Sequence, residues 1–200
     1  MRSSVIKVTS KGAGFAEALA MTERLGSENG LEKKSVLHLR LLAEELFGMI
    51  RGIAGEVEAK YWLEIKGKAF ELHLKSTVDI TEEMCDQFIS ASSSGKNYAS
   101  HGFMGKIRVM IANFIFSSKE VLPYAMINTA AAYQMGAAGE SSAVWSMSLC
   151  KEEIKNRKDE SAELKEEWDE LEKSIVANIA DDVKVGILGD NVEIIVFKSF

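Results

Sequence analysis

The sequence predicts an α+β fold, a mainly antiparallel sheet covered on one face by helices in two layers. Three observations predict it. Val57 to Val78 alternates apolar and polar residues around Gly67-Lys68, as a β-hairpin does. Leu37 to Ile53 places Leu39, Leu42, Leu46, Met49/Ile50 and Ile53 at steps of three and four, the period of one helix face. The chain closes with a charged amphipathic stretch, Lys151 to Ile179, followed by a second hairpin, Val183 to Leu188 and Val192 to Phe197. Runs of helix and strand that do not alternate regularly point to an antiparallel sheet rather than a doubly wound parallel one.

Taken in order, Val5 to Val8 is a short β-branched run that suits an edge strand, broken by Lys11-Gly12. Phe15, Leu19, Met21/Thr22 and Leu25 give a first helix, ending near Gly26 and Gly30. Lys33 begins the central helix. Beside its apolar face runs a second stripe, Leu41, Glu45, Gly48 and Gly52. Each glycine costs about 1 kcal/mol relative to alanine inside a helix, so close packing or a ligand near the backbone is the expected compensation. In the hairpin, Val57, Ala59, Tyr61, Leu63 and Ile65 share one face with Phe70, Leu72, Leu74, Ser76 and Val78. Glu58, Lys60, Trp62, Glu64, Glu71, His73 and Lys75 take the other, partly wet face.

Asp79 or Thr81 caps a short helix carrying Met84, Phe88 and Ile89, and Ser90 to Gly102 is the most loop-like stretch. Phe103 to Phe116 is too continuously apolar for its period to separate helix from strand. Pro123 opens a helix running to Met135, and Gly136 to Ser142 is a small-residue loop. Val144 to Leu149 reads as a strand or a helical turn. In Lys151 to Ile179, Leu164, Trp168, Leu171, Ile175 and Ile179 form the apolar stripe of one long helix. The last hairpin turns at Gly189-Asp190-Asn191. With no repeat or linker, residues 1–200 read as a single domain with an insertion at 118–150.

The totals exclude several classes. The 200 residues are 46% apolar, enough for a packed core, and the net charge of −6 argues against nucleic-acid and anionic-membrane binding. The N-terminus has no apolar core of a signal peptide, and Val109 to Phe116 is too short to span a bilayer, so the expected location is the cytoplasm. Cys85 and Cys150 make no disulfide framework, and His38, His73 and His101 are scattered without metal-ligand spacing, each reading as a buried or surface histidine.

Ser92 to Gly105 is the stretch with phosphate-binding chemistry: serines, glycines and Lys96 offer backbone N–H groups and a cation. It is not a Walker loop, because Ser90 and Asn97 stand where that motif needs Gly and Ser or Thr. The plain alternative is a solvated loop. Asp79 is equally an N-cap, and Glu45 a polar residue at a helix rim.

The order of these features resembles the GHKL superfamily, the ATP-binding fold shared by gyrase, histidine kinases and anti-sigma factor serine kinases, from about Ser10 to Ile111. The EELFGMI segment is similar to the family's Glu-x-x-x-Asn helix, with Glu45 in the acidic place. Asp79 matches the aspartate that reads the adenine amino group. CDQFISASSSGKN resembles the ATP lid, with Ser94, Gly95, Lys96 and Asn97, and HGFMGKI resembles the second glycine motif, with Gly102 and Gly105. The resemblance implies a two-layer histidine kinase-like ATPase domain, with ATP as ligand and Glu45 as catalytic base for phosphoryl transfer to a protein or to water. It implies a regulatory protein partner, and a homodimer by analogy alone.

Three departures stand against catalysis. The family's magnesium-binding asparagine falls at Met49, which puts Mg2+ in doubt. Asp79 is followed by Ile80, Thr81, Glu82 and Glu83 rather than a glycine motif, and HGFMG replaces the usual Gly-Leu-Gly-Leu type. The rival expectation is a non-catalytic interaction module with a decayed nucleotide site.

Overall fold

A computed structural model describes residues 1–51, 57–77, 142–157, 159–188 and 191–200 of the chain. In order these form β1 (Ile6–Thr9), α1 (Phe15–Glu28), α2 (Lys33–Arg51), β2 (Glu58–Lys66), β3 (Ala69–Thr77), β4 (Ser142–Ser146), α3 (Met147–Arg157), α4 (Ala162–Lys173), α5 (Ile175–Ile179), β5 (Asp182–Leu188) and β6 (Asn191–Ser199). The six strands make one sheet in the order β1-β2-β3-β6-β5-β4. Every neighbouring pair is antiparallel. The C-terminal strand β6 therefore lies at the centre, joining the two hairpins.

The hairpin alternation sets the register. Lys66 pairs with Ala69 across the turn, and Gly67 takes φ 62°, the left-handed backbone that glycine adopts without a Cβ clash. A slip of one residue would turn Ala59, Tyr61, Leu63 and Ile65 to the wrong face. As paired, those four side chains are all buried, and so are Phe70, Leu72 and Leu74 opposite them. They share one core with Phe15, Ala18, Met21 and Leu25 of α1 and with Leu39, Leu42, Leu46, Met49 and Ile50 of α2. Val183 and Val185 of β5, Ile194 and Val196 of β6, and Val176 of α5 complete it. The helices thus cover one face of the sheet, as the apolar stripes require.

At the centre of the layer contact, Phe47 stacks on Phe15, with ring centroids 4.6 Å apart, and meets Tyr61 edge-on at 4.9 Å. The Tyr61 hydroxyl lies 2.7 Å from Thr22 Oγ1, which donates to the Ala18 carbonyl at 2.8 Å. Tyr61 is therefore the donor to Thr22. Burial pushes its phenol pKa well up, and the bond to Thr22 opposes that only in part. The two ends of this bond are not equivalent. Tyr61→Phe leaves Thr22 still bonded to Ala18 and should cost about 1 kcal/mol, whereas Thr22→Val strands a buried phenol and should cost about 1–3 kcal/mol. Urea unfolding of the two variants and their double variant checks this; a larger loss for Tyr61→Phe would reverse the assigned donor.

Three sequence expectations change. The stretch Lys151 to Ile179 is not one helix but parts of three, and the first begins earlier, at Met147. Val144 to Leu149, open between strand and helical turn, divides between the two: the strand stops at Ser146, because the Asp182 carboxylate accepts from Ser146 Oγ (3.1 Å) and Ser148 N (2.9 Å) and caps α3 from β5. Further on, Ser174 has extended backbone and accepts from Ala177 N at 3.3 Å, capping α5. That break resets the helical phase, so Ile175 is exposed while Leu171 is buried. The last hairpin is tighter than expected: Leu188 pairs with Asn191, which places Asn191 in β6.

Candidate functional site

The central helix carries the one predicted site residue that the structure describes. Glu45 is partly buried on α2, and its carboxylate makes no hydrogen bond or ion pair among the described residues. Leu42 and Leu46 beside it are buried in the core. One turn on, Met49 is also a core residue, 1% exposed. A thioether there packs against the sheet and offers no oxygen to a hard cation. The position aligned with a magnesium ligand is thus an apolar packing position.

Asp79, Ser94, Gly95, Lys96, Asn97, Gly102 and Gly105 lie outside the described residues. So do the short helix from Asp79, the Ser90 to Gly102 loop, the apolar run from Phe103 to Phe116, the helix from Pro123 and the loop from Gly136 except Ser142, which opens β4. What the structure does show is where they attach: α2 leads into the hairpin β2–β3, and β3 runs out at Thr77, two residues before Asp79.

A second constellation sits on the sheet face opposite the helices. Strand pairing sets Trp62 opposite His73 and Glu64 opposite Glu71. Although the alternation puts this face toward water, Trp62 is 7% exposed and His73 is 6% exposed. Their rings stack, with centroids 4.7 Å apart and planes 10° from parallel. The Arg2 guanidinium lies over the Trp62 ring at 4.7 Å. It is brought there by backbone pairing of the N-terminal residues with β2, Ser3 N to Leu63 O at 2.9 Å and Ile65 N to Met1 O at 2.7 Å.

Polar groups surround the stack. His73 Nδ1 lies 3.2 Å from Glu193 Oε1 on the neighbouring strand β6. An ionised carboxylate only accepts, so Nδ1 carries the proton and donates. This bond holds the Glu193 carboxyl below its ordinary range; burial works against it, and the nearby Lys75 ammonium adds to it. Lys75 Nζ is 3.8 Å from Glu193 Oε2. Glu64 Oε1 accepts from Trp62 Nε1 at 3.3 Å and lies 3.9 Å from Arg2 Nε. Glu71 Oε1 is 3.4 Å from Lys66 Nζ, and its Oε2 is 3.6 Å from His73 Nε2.

Sequence reasoning treated His73 as an isolated histidine. The signal that could have found it is the hairpin register, which sets Glu64, Glu71 and His73 on one patch of one face. The contribution of Glu193, 120 positions away, needs the β3–β6 pairing. Comparison of the chain with known family models, with curated proteins and with solved structures gives no match in any of the three.

Proposed function

We propose that this chain is a nucleotide-binding regulatory protein of the GHKL type, acting in the cytoplasm through a protein partner, with ATP or ADP held without a magnesium ligand from α2. The observation that carries the reading is α2 itself. It presents a partly exposed Glu45 whose side chain has no partner among the described residues, while the residue one turn on, Met49, is withdrawn into the core. Support comes from the two-layer arrangement and from the hairpin that follows α2 and runs out just before Asp79. Among the described residues, no helix is long and apolar enough to cross a membrane.

In this reading Asp79 bonds the adenine amino group. Ser94, Gly95, Lys96, Asn97, Gly102 and Gly105 surround the phosphates. Glu45 is the base for any transfer of the γ-phosphoryl group to a protein hydroxyl or to water. Phosphoryl transfer depends on neutralising the charge of the phosphate oxygens, so lacking a metal ligand costs much of the rate. Binding, and its effect on a partner, is then the main activity.

Thermal unfolding with ATP or ADP, each with and without magnesium, tests this. Ligand at a hundredfold excess over Kd stabilises the native state by about 2.7 kcal/mol. The expected result is a shift of several degrees that magnesium does not change and that Lys96→Ala/Asp79→Asn abolishes. Absence of any shift at millimolar nucleotide retires the nucleotide reading; a partner that still co-purifies would then identify a binding module with a decayed site. Residual hydrolysis unaffected by Glu45→Gln would remove Glu45 from the chemistry.

A further inference from the structure

The outer face of the β2–β3 hairpin holds a histidine whose chemistry is unfinished. His73 is 6% exposed, and its Nε2 has no hydrogen-bond partner among the described residues. Buried polar atoms are rarely left in that state. Three donor groups converge there: one atom each from Glu64, Glu71 and His73, all within 4.8 Å of one another. We propose that His73 Nε2, Glu71 and Glu64 bind one divalent transition-metal cation of the zinc type, with Glu193 orienting the imidazole from behind.

The distances favour a cation over a proton. Glu193 accepts the hydrogen bond from Nδ1–H, so in the neutral ring Nε2 carries the free lone pair. Nε2 lies 3.6 Å from Glu71 Oε2, beyond hydrogen-bond distance. A charge-assisted bond between the two would be about 2.7–2.9 Å long. Two ligands about 2.1 Å from a tetrahedral zinc stand about 3.4 Å apart, close to the spacing seen here. The half-buried Glu64 carboxylate offers the third ligand atom, within 4.8 Å of the other two.

The surroundings complete the case. A carboxylate behind the ligating imidazole is the usual device for setting its tautomer and raising its basicity. The Trp62 ring stacked on His73 prevents the imidazole from swinging away. One imidazole with two carboxylates suits zinc and its neighbours, whereas magnesium and calcium prefer oxygen ligands throughout. The two carboxylates balance the charge of a divalent ion. Their present cationic neighbours, Lys66 and Arg2, have side chains 72% and 57% exposed and touch only Oε1 of each carboxylate, so a metal displaces them without opening the core. Three protein ligands leave a fourth position for water or a substrate atom.

The test is calorimetric titration of the whole chain, stripped with chelator, using Zn2+ alone, and Co2+ as a visible-absorption reporter. One Zn2+ per chain is expected, with a Co2+ spectrum of a low-coordinate nitrogen and oxygen site. Glu193→Gln should keep the stoichiometry and weaken binding by about 10–100-fold, the usual effect of removing a partner behind a ligand. His73→Gln and Glu71→Gln should abolish it. Because His73 is buried, its variant is checked by circular dichroism; if it unfolds, Glu64→Gln and Glu71→Gln at the wetter edge decide the matter. Zn2+ binding unchanged in both glutamine variants, or absent in the parent chain at submillimolar metal, overturns the proposal. Neither result bears on nucleotide binding.

Discussion

Gly14→Ala is expected to destabilise the fold by about 3–5 kcal/mol, a left-handed backbone cost plus a steric one. Gly14 immediately precedes α1 and has φ 78°. A Cβ there would lie 2.1 Å from the Lys7 carbonyl oxygen and 3.3 Å from Val8 Cα. Both are backbone atoms of β1, whose Lys7 and Val8 are registered against Lys60 and Ala59 of β2. Neither side can yield: Gly14 O accepts from Ala18 N at 3.0 Å in the first turn of α1. Alanine must therefore push α1 off the sheet edge. Gly30→Ala is the control. It has nearly the same φ, 74°, with nothing within 4 Å of the added carbon, and should cost about 1–2 kcal/mol from backbone strain alone. Urea unfolding of both variants separates the terms, and equal losses would show that the close approach of α1 to β1 contributes nothing.

Phe47→Ala should cost about 3–5 kcal/mol, the range for emptying a fully buried aromatic site. Phe47 is 2% exposed and contacts Phe15 of α1 and Tyr61 of β2 by ring packing, so it joins both helices to the sheet. Truncation removes its own apolar burial and one wall of the pocket holding the Tyr61 phenol. A domain of this size is typically stable by only about 5–15 kcal/mol, so the variant should unfold at a much lower denaturant midpoint with an unchanged slope. Phe47→Leu, which keeps most of the volume, should cost less than half as much. A loss under about 1 kcal/mol for the alanine variant would mean that the site collapses around the gap, against the usual behaviour of packed cores.

The two layers were legible because their periods are local. Tyr61, Leu63, Leu72 and Leu74 alternate along a hairpin whose turn is in the sequence, and Leu39, Leu42 and Leu46 recur at helical spacing; all are buried as those periods require. The division of Lys151 to Ile179 was less legible. Its charged residues favour helix throughout; the break at Ser174 depends on a serine cap, and the early start of the first helix at Met147 depends on Asp182 of β5. Of the site, Glu45 could be placed on its helix beforehand. That Met49 is a core residue could be suspected from the same stripe, but only the packing of α2 on the sheet established it.

The outer face marks the boundary most clearly. Period two assigns Trp62, Glu64, Glu71 and His73 to one side of a hairpin, and that much follows from adjacent residues alone. Whether such a side is wet depends on what lies across it. Here the N-terminal residues bring Arg2 over Trp62, and β6 brings Glu193 to His73. These partners are distant in the chain and carry no periodic signal of their own. Local spacing chose the faces and the elements; long-range strand pairing decided which polar groups were removed from water, and so where a buried imidazole has one nitrogen bonded and the other without a hydrogen-bond partner among the described residues.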